Sequence, residues 1–236
     1  MKGASMNHTG VCDINNPLFN ISASICEISE YSEKVRRNEN PFPVCCCPKC
    51  QAKPDFFIPH DKKTRKFRVI IDQVIHIENG LLTMWKCPEC GKCFMGYPPF
   101  AMPYKRYTVP TIRAFTQRYV EDDAMTYRRL INETPILSST SPEWELNHST
   151  IHRWVSTLGW MDQTVAIAQD LVLQKDPAST ICRELAGLTI PARKYIRETR
   201  KNLLLTCRRL VKIEKQFFSL FHVSVFHQLA TGCAYG

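Results

Sequence analysis

Cys47-Pro48-Lys49-Cys50 and Cys87-Pro88-Glu89-Cys90-Gly91 decide how the first half of this chain folds. Two thiols separated by two residues can turn onto one ion, because the backbone between them closes into a tight knuckle. Proline after the first cysteine pre-sets the turn, and glycine after the second permits a positive φ. The second knuckle has both features, whereas the first has Pro48 but Gln51 in the glycine position. Two such knuckles separated by 36 residues, Gln51 to Lys86, offer four sulfurs to a tetrahedral ion. That is the pattern of a structural Zn2+ site, with Cys47, Cys50, Cys87 and Cys90 the expected ligands. Cys45, Cys46 and Cys93 are close enough to compete, Cys93 at the same spacing from Cys90. His60 lies in a basic segment and is expected at the surface. Four thiolates leave no open coordination position, so the ion is expected to fold the module and not to catalyse.

Between the knuckles, Lys66–Ile71 and Val74–Ile77 are rich in β-branched residues, and Asn79-Gly80 is a strong hairpin signal. It leads into a strand over Leu81–Lys86, from whose end the second knuckle hangs. Residues 41–99 are thus expected to be a small β zinc ribbon. Residues 1–40 are polar and mixed, and are expected to be a flexible arm with a short helix around Ile25–Val35. Cys12 and Cys26 there have no ligand-like spacing.

Beyond a proline-rich bridge the period becomes helical. Helices are expected from Thr111 to Glu121, with Ile112, Phe115 and Tyr119 inward, and from about Ala124 to Glu133. A third opens at Asn147 or His148 and runs to Leu158, with Gly159 marking its end. Residues 104–160 have the order of a helix-turn-helix unit, although the stretch Ile136–Glu145 is long for a tight turn. Residues 161–236 are expected to be a basic helical region: helices over Met161–Lys175, Thr180–Ala186 and Pro191–Phe221. Between Arg183 and Lys215 there are ten basic and three acidic residues, with Ile196, Leu203, Leu210 and Phe217 recurring every seven. The last helix suits packing on the bundle, dimerisation or nucleic-acid contact. The fold class is mainly α with a small β zinc ribbon.

The 236 residues carry 31 Lys and Arg against 22 Asp and Glu, a net charge of +9. That excess favours a polyanionic partner. No stretch approaches the roughly 20 apolar residues that span a bilayer, and the N-terminal residues lack a secretory signal. A reducing cytoplasmic setting, nucleoid-associated if DNA is bound, makes the 12 cysteines metal ligands or buried thiols and not disulfides.

The order of ribbon, Pro103-Tyr104-Lys105-Arg106-Tyr107 and helices with Ser149-Thr150-Ile151-His152-Arg153-Trp154 resembles the N-terminal DNA-binding part of insertion-sequence transposases. It is more similar still to small stand-alone relatives of those proteins. The likeness spans residues 43–160 and implies recognition of double-stranded DNA, without bringing catalysis. The region after Trp160 is helical and offers no strand series for an acidic triad. Asp122-Asp123 and Glu143/Glu145 suit surface or capping roles. In this reading Lys62, Lys63, Arg65, Lys66 and Arg68 form a basic loop at a hairpin mouth that tracks phosphates, joined by Lys105 and Arg106. The last helix of the unit presents Ser149, Thr150, His152 and Arg153, with Arg153 suited to guanine.

The leading expectation is a non-enzymatic, zinc-stabilised DNA-binding accessory or regulatory factor, with a homodimer or a transposition partner possible and no membrane. The alternatives are a truncated or divergent transposase subunit and a protein-interaction adaptor. An RNA-binding reading lacks an exposed aromatic platform in the sequence pattern.

Overall fold

The computed structural model describes residues 23–39, 46–71, 74–134, 137–138, 146–194, 197–222 and 224–226. Its sheet is built on one long hairpin. Strand β1 (Ile58–Ile71) pairs antiparallel with β2 (Val74–Lys86) from Ile58↔Lys86 to Ile71↔Val74, with one register shift between Pro59 and Asp61. The chain therefore reverses between Ile71 and Val74, not at Asn79-Gly80. Gly80 lies in mid-strand opposite Arg65. A Cβ at Gly80 would come within 2.5 Å of the Phe67 ring, so this glycine makes room for a packed aromatic and does not form a turn.

β3 (Cys93–Met95) adds to the knuckle end of β2, and β4 (Leu137–Ser138) pairs in parallel with Val74 and Ile75 at the other end. The two faces of the hairpin serve different cores. Phe67, Val69 and Leu82 pack with Phe100, Ala101 and Ile28, whereas Ile70 and Ile75 join the large helical core.

Ile28 belongs to α1 (Ala23–Arg36), which lies on β2. Ile28, Ser32 and Val35 are buried. Ser32 Oγ donates to Ile28 O and accepts from Leu81 N at 3.1 Å, so a helix hydroxyl satisfies a strand amide. The expected flexible arm thus contains a docked helix; residues 1–22 lie outside the described residues.

α2 (Val109–Glu121) starts two residues before Thr111, with Pro110 in its first turn, where the missing N–H costs nothing. Ile112, Phe115 and Tyr119 face the core as their spacing predicts. α3 (Tyr127–Glu133) starts later than Ala124 because Thr126 supplies its cap, accepting from Arg129 N at 3.1 Å. α4 (His148–Gly159) is capped by Asn147 Oδ1, which accepts from Ser149 N at 2.9 Å. Gly159 is within α4, and its lack of a side chain lets the backbone of Leu203 approach; a Cβ there would lie 2.6 Å from Leu203 O.

α5 (Asp162–Lys175) and α6 (Ile181–Ala186) match their expected spans closely. The expected continuous helix from Pro191 is instead a 3-10 turn at Ala192–Lys194 followed by α7 (Glu198–Phe221). α7 packs against α2, α4, α5 and α6, as the bundle reading anticipated. Because several helices cover it, its buried stripe is broader than a heptad seam: Leu204, Cys207, Leu210, Val211, Ile213 and Phe217. Leu203 is only half-buried. Buried Glu214 ties down the segment after α7, accepting from Arg113 Nη1 (3.0 Å), Ser224 Oγ (2.8 Å) and Val225 N (2.8 Å). Among the described residues no helix is long and apolar enough to cross a membrane.

Candidate metal centre and basic surface

The two knuckles are built alike. Gln51 N donates to Cys47 O at 3.0 Å, and Gly91 N donates to Cys87 O at 3.0 Å. Cys47 N then reaches Ala52 O, and Cys87 N reaches Lys92 O, each at 2.9 Å. Closing this turn needs a left-handed residue after the second cysteine. Gly91 supplies it at φ 69°, and Gln51 takes the same conformation at φ 61° despite its side chain. The departure from glycine seen in the first knuckle is thus accommodated by the same backbone. Phe57, Trp85 and Phe94 wall the cluster, and Trp85 itself packs against Gly96, where a Cβ would lie 2.5 Å from Nε1.

Cys47, Cys50, Cys87 and Cys90 bring their sulfurs within 4.8 Å of one another and could hold a metal ion. The Cys47–Cys90 and Cys50–Cys87 sulfur pairs are each 3.5 Å apart. Tetrahedral bonds of about 2.3 Å to zinc require sulfurs about 3.8 Å apart, so the donor set fits that ion. The thiols also cannot all ionise together unaided. Burial works to raise Cys47, but the N–H groups of Cys50 and Lys49 and the neighbouring thiols outweigh it and bring it down to about 7. The Ala52 N–H favours the Cys50 thiolate, yet desolvation and the three other cysteines push that thiol up to about 12. Cys93 lies in β3, with its sulfur toward Gly91 O at 4.0 Å, and His60 is exposed. Cys46 is half-buried and Cys45 lies outside the described residues.

Lys62–Arg68 is not a loop. It is part of β1, so alternate residues face opposite sides and the five cations do not form one patch. Several are tied down. Lys62 Nζ donates to Asn38 Oδ1 at 2.8 Å beyond the end of α1, and Lys63 pairs with Asp61 at 2.6 Å. Arg65 donates from Nη2 to Met102 O (3.2 Å) and to Lys105 O, and its guanidinium lies over Phe67 and Tyr97. Arg68 lies over the Tyr107 ring. Lys66 is exposed.

The Pro103–Tyr107 linker runs along β1, with Arg68 N donating to Arg106 O at 2.8 Å. Lys105 Nζ donates to Thr157 Oγ1 at 2.9 Å, which fastens the linker to α4. Burial, then the Arg153 charge, holds the Lys105 ammonium below its ordinary value. Arg106, His152 and Arg153 are exposed, and Ser149 and Thr150 half-exposed, while Ile151, Trp154, Val155 and Leu158 are buried. The polar and apolar sides of α4 are therefore divided as its periodicity predicts. His152 is edge-on to Tyr127, and burial followed by the Arg200 charge lowers its pKa. Asp122 caps a turn through Ala124 N, and Asp123 pairs with Arg208 at 3.6 Å. Glu143 and Glu145 lie outside the described residues.

Two exposed aromatics near the linker and the end of α4 correct the expectation that the chain lacks an exposed aromatic platform. Tyr104 is 95% exposed and Trp160 69% exposed. The only sequence signal was Tyr104 itself, an aromatic after proline in a segment with no amphipathic period. Residues 47–154 match a family model described as a domain of unknown function (DUF6431). No curated protein and no solved structure matches the chain.

Proposed function

We propose that this chain is a zinc-stabilised, double-stranded DNA-binding protein of transposase-related type, acting as an accessory or regulatory factor without a catalytic site of its own. The observation that carries the reading is the solvent face of α4. His152 and Arg153 are exposed there beside the clamped linker and its exposed Arg106. α2, α3 and α4 act as a helix-turn-helix with α4 the reading element, its first turn bringing Ser149 and Thr150 to phosphate or base edges. Arg153 pairs with guanine, and Arg106 and Lys66 neutralise phosphate. Arg65 and Lys105 serve the surface by shaping it, since their donors are engaged within the fold.

Zinc on the four cysteines locks the hairpin base, and the hairpin in turn holds the linker. Removing the positive charges of Lys66, Arg106 and Arg153 together tests the reading. The slope of log affinity against log salt on a random duplex should flatten by about 2, at roughly 0.9 for each of the two phosphate contacts, Lys66 and Arg106. An unchanged slope would reject these contacts.

The adaptor reading draws on Phe56 and Ile58, exposed apolar side chains close to the first knuckle. On that reading the charges of β1 only guard an open strand edge, and affinity for DNA at near-physiological salt is negligible.

A further inference from the structure

We infer that Tyr104 is a base-stacking residue, held out from the fold to lie on an exposed base face of DNA whose backbone follows the neighbouring cations. This rests on the DNA-binding reading above and specifies the form of DNA preferred: one with an unpaired base, as at an overhang or gap.

The turn that carries Tyr104 is built against that residue's own preference. Lys105 N donates to Met102 O at 3.2 Å, which makes Pro103 and Tyr104 the central pair of a four-residue turn. Tyr104 has φ 60°. A positive φ at the second central position is normally met by glycine or asparagine, and a bulky side chain there is an outlier. The conformation persists because its surroundings fix it. Arg65 donates to the carbonyls at both ends of the turn, Met102 and Lys105. Lys105 Nζ is fastened to Thr157, and Arg68 N to Arg106 O. Buried Met102 and Tyr107 anchor the flanks.

The ring contributes nothing to the core in return. Tyr31 packs edge-on to Phe100, Tyr107 to Trp154, and Tyr119 stacks on Tyr127, whereas Tyr104 is 95% exposed. A strained, rigidly held turn whose aromatic side chain stabilises nothing within the fold points to a ligand. The surroundings specify which ligand. The exposed Arg106 and Arg153 favour an anion, while the ring offers a flat face, and nucleic acid combines phosphate with flat bases. Trp160 lies one turn beyond Thr157, the residue that holds Lys105, and offers a second exposed ring. A turn so tightly clamped suits a base that already presents its face, which continuous stacked duplex does not.

Binding of the zinc-loaded full chain is measured to a blunt duplex and to the same duplex with a 5′ single-stranded overhang, alongside thermal unfolding. The wild type should prefer the overhang substrate. Tyr104→Gly should lose that preference by roughly tenfold, within the range expected of one stacked base. Its affinity for the blunt duplex should stay unchanged, and its melting temperature should rise because glycine relieves the left-handed strain. Tyr104→Phe should keep the preference. If blunt duplex is bound but Tyr104→Gly binds the overhang like the wild type, the stacking role is overturned and the DNA reading stands. If the wild type binds neither DNA, both fall together.

Discussion

Replacing Gly159 with alanine tests whether α7 fixes the position of α4. The new Cβ would sit 2.6 Å from Leu203 O and 2.9 Å from Leu203 Cα and Cβ. These are backbone or backbone-proximal atoms, so no rotamer change relieves the overlap. Restoring ordinary contact at about 3.4 Å requires the helices to separate by roughly 0.5–0.8 Å, which loosens a close-packed interface. Overpacking of this kind costs about 1–3 kcal/mol. The gain in helix propensity from glycine to alanine, at most about 1 kcal/mol and smaller at a helix end, offsets part of it. A net loss of about 1–2 kcal/mol corresponds to roughly 2–8 °C in melting temperature for a chain of this size. Circular dichroism melts of the zinc-loaded protein provide the assay. Gly187→Ala is the control, since its Cβ would meet nothing closer than Arg183 O at 3.5 Å and its φ is −75°. A Gly159→Ala melt within a degree of Gly187→Ala would refute the close crossing of α4 and α7.

The knuckles make a paired prediction: Gln51→Gly should stabilise the zinc-loaded protein by up to about 1 kcal/mol by relieving a left-handed glutamine, and Gly91→Ala should destabilise it by a similar amount. Chemical denaturation checks both, and changes of the same sign would contradict them. Arg65→Lys keeps the charge but loses the fork that holds two carbonyls, so duplex affinity should fall although the charge is unchanged. Affinity equal to wild type would show that the linker holds itself. Burial raises the Glu214 pKa above its ordinary value, ahead of the hydrogen bonds and the Arg113 charge that lower it. Its stabilising contribution is therefore full below pH about 4.5 and declines as pH rises through the raised value. Denaturant midpoints of wild type should show that decline, and Glu214→Gln should flatten it; parallel curves would contradict the assignment.

The four-cysteine cluster was legible because a knuckle is local: its spacing, proline and following residue determine where the sulfurs go. The division of α4 into buried Ile151, Trp154, Val155 and Leu158 and an outward His152 and Arg153 followed from helical period alone. Tertiary contacts decided what the sequence left illegible. Asn79-Gly80 carries a turn signal, but Phe67 across the sheet claims the space above Gly80. Gly159 resembles a helix terminator, yet its role is set by Leu203, distant in sequence. The basic run at Lys62–Arg68 looked like a loop because charge masks strand alternation when both faces are solvated at its start. Arg65 and Lys105 read as phosphate ligands in the sequence, and the carbonyl and hydroxyl partners that the folded chain also gives them come from distant segments. Tyr104 gave no periodic signal, because its setting is a turn whose partners lie on β1 and α4.

The most direct test of the DNA reading is affinity of the zinc-loaded protein for a random duplex between 50 and 200 mM salt, beside a chelated sample. Micromolar binding that weakens steeply with salt, and that chelation abolishes, is the predicted result. Absence of binding at the lowest salt would contradict the account.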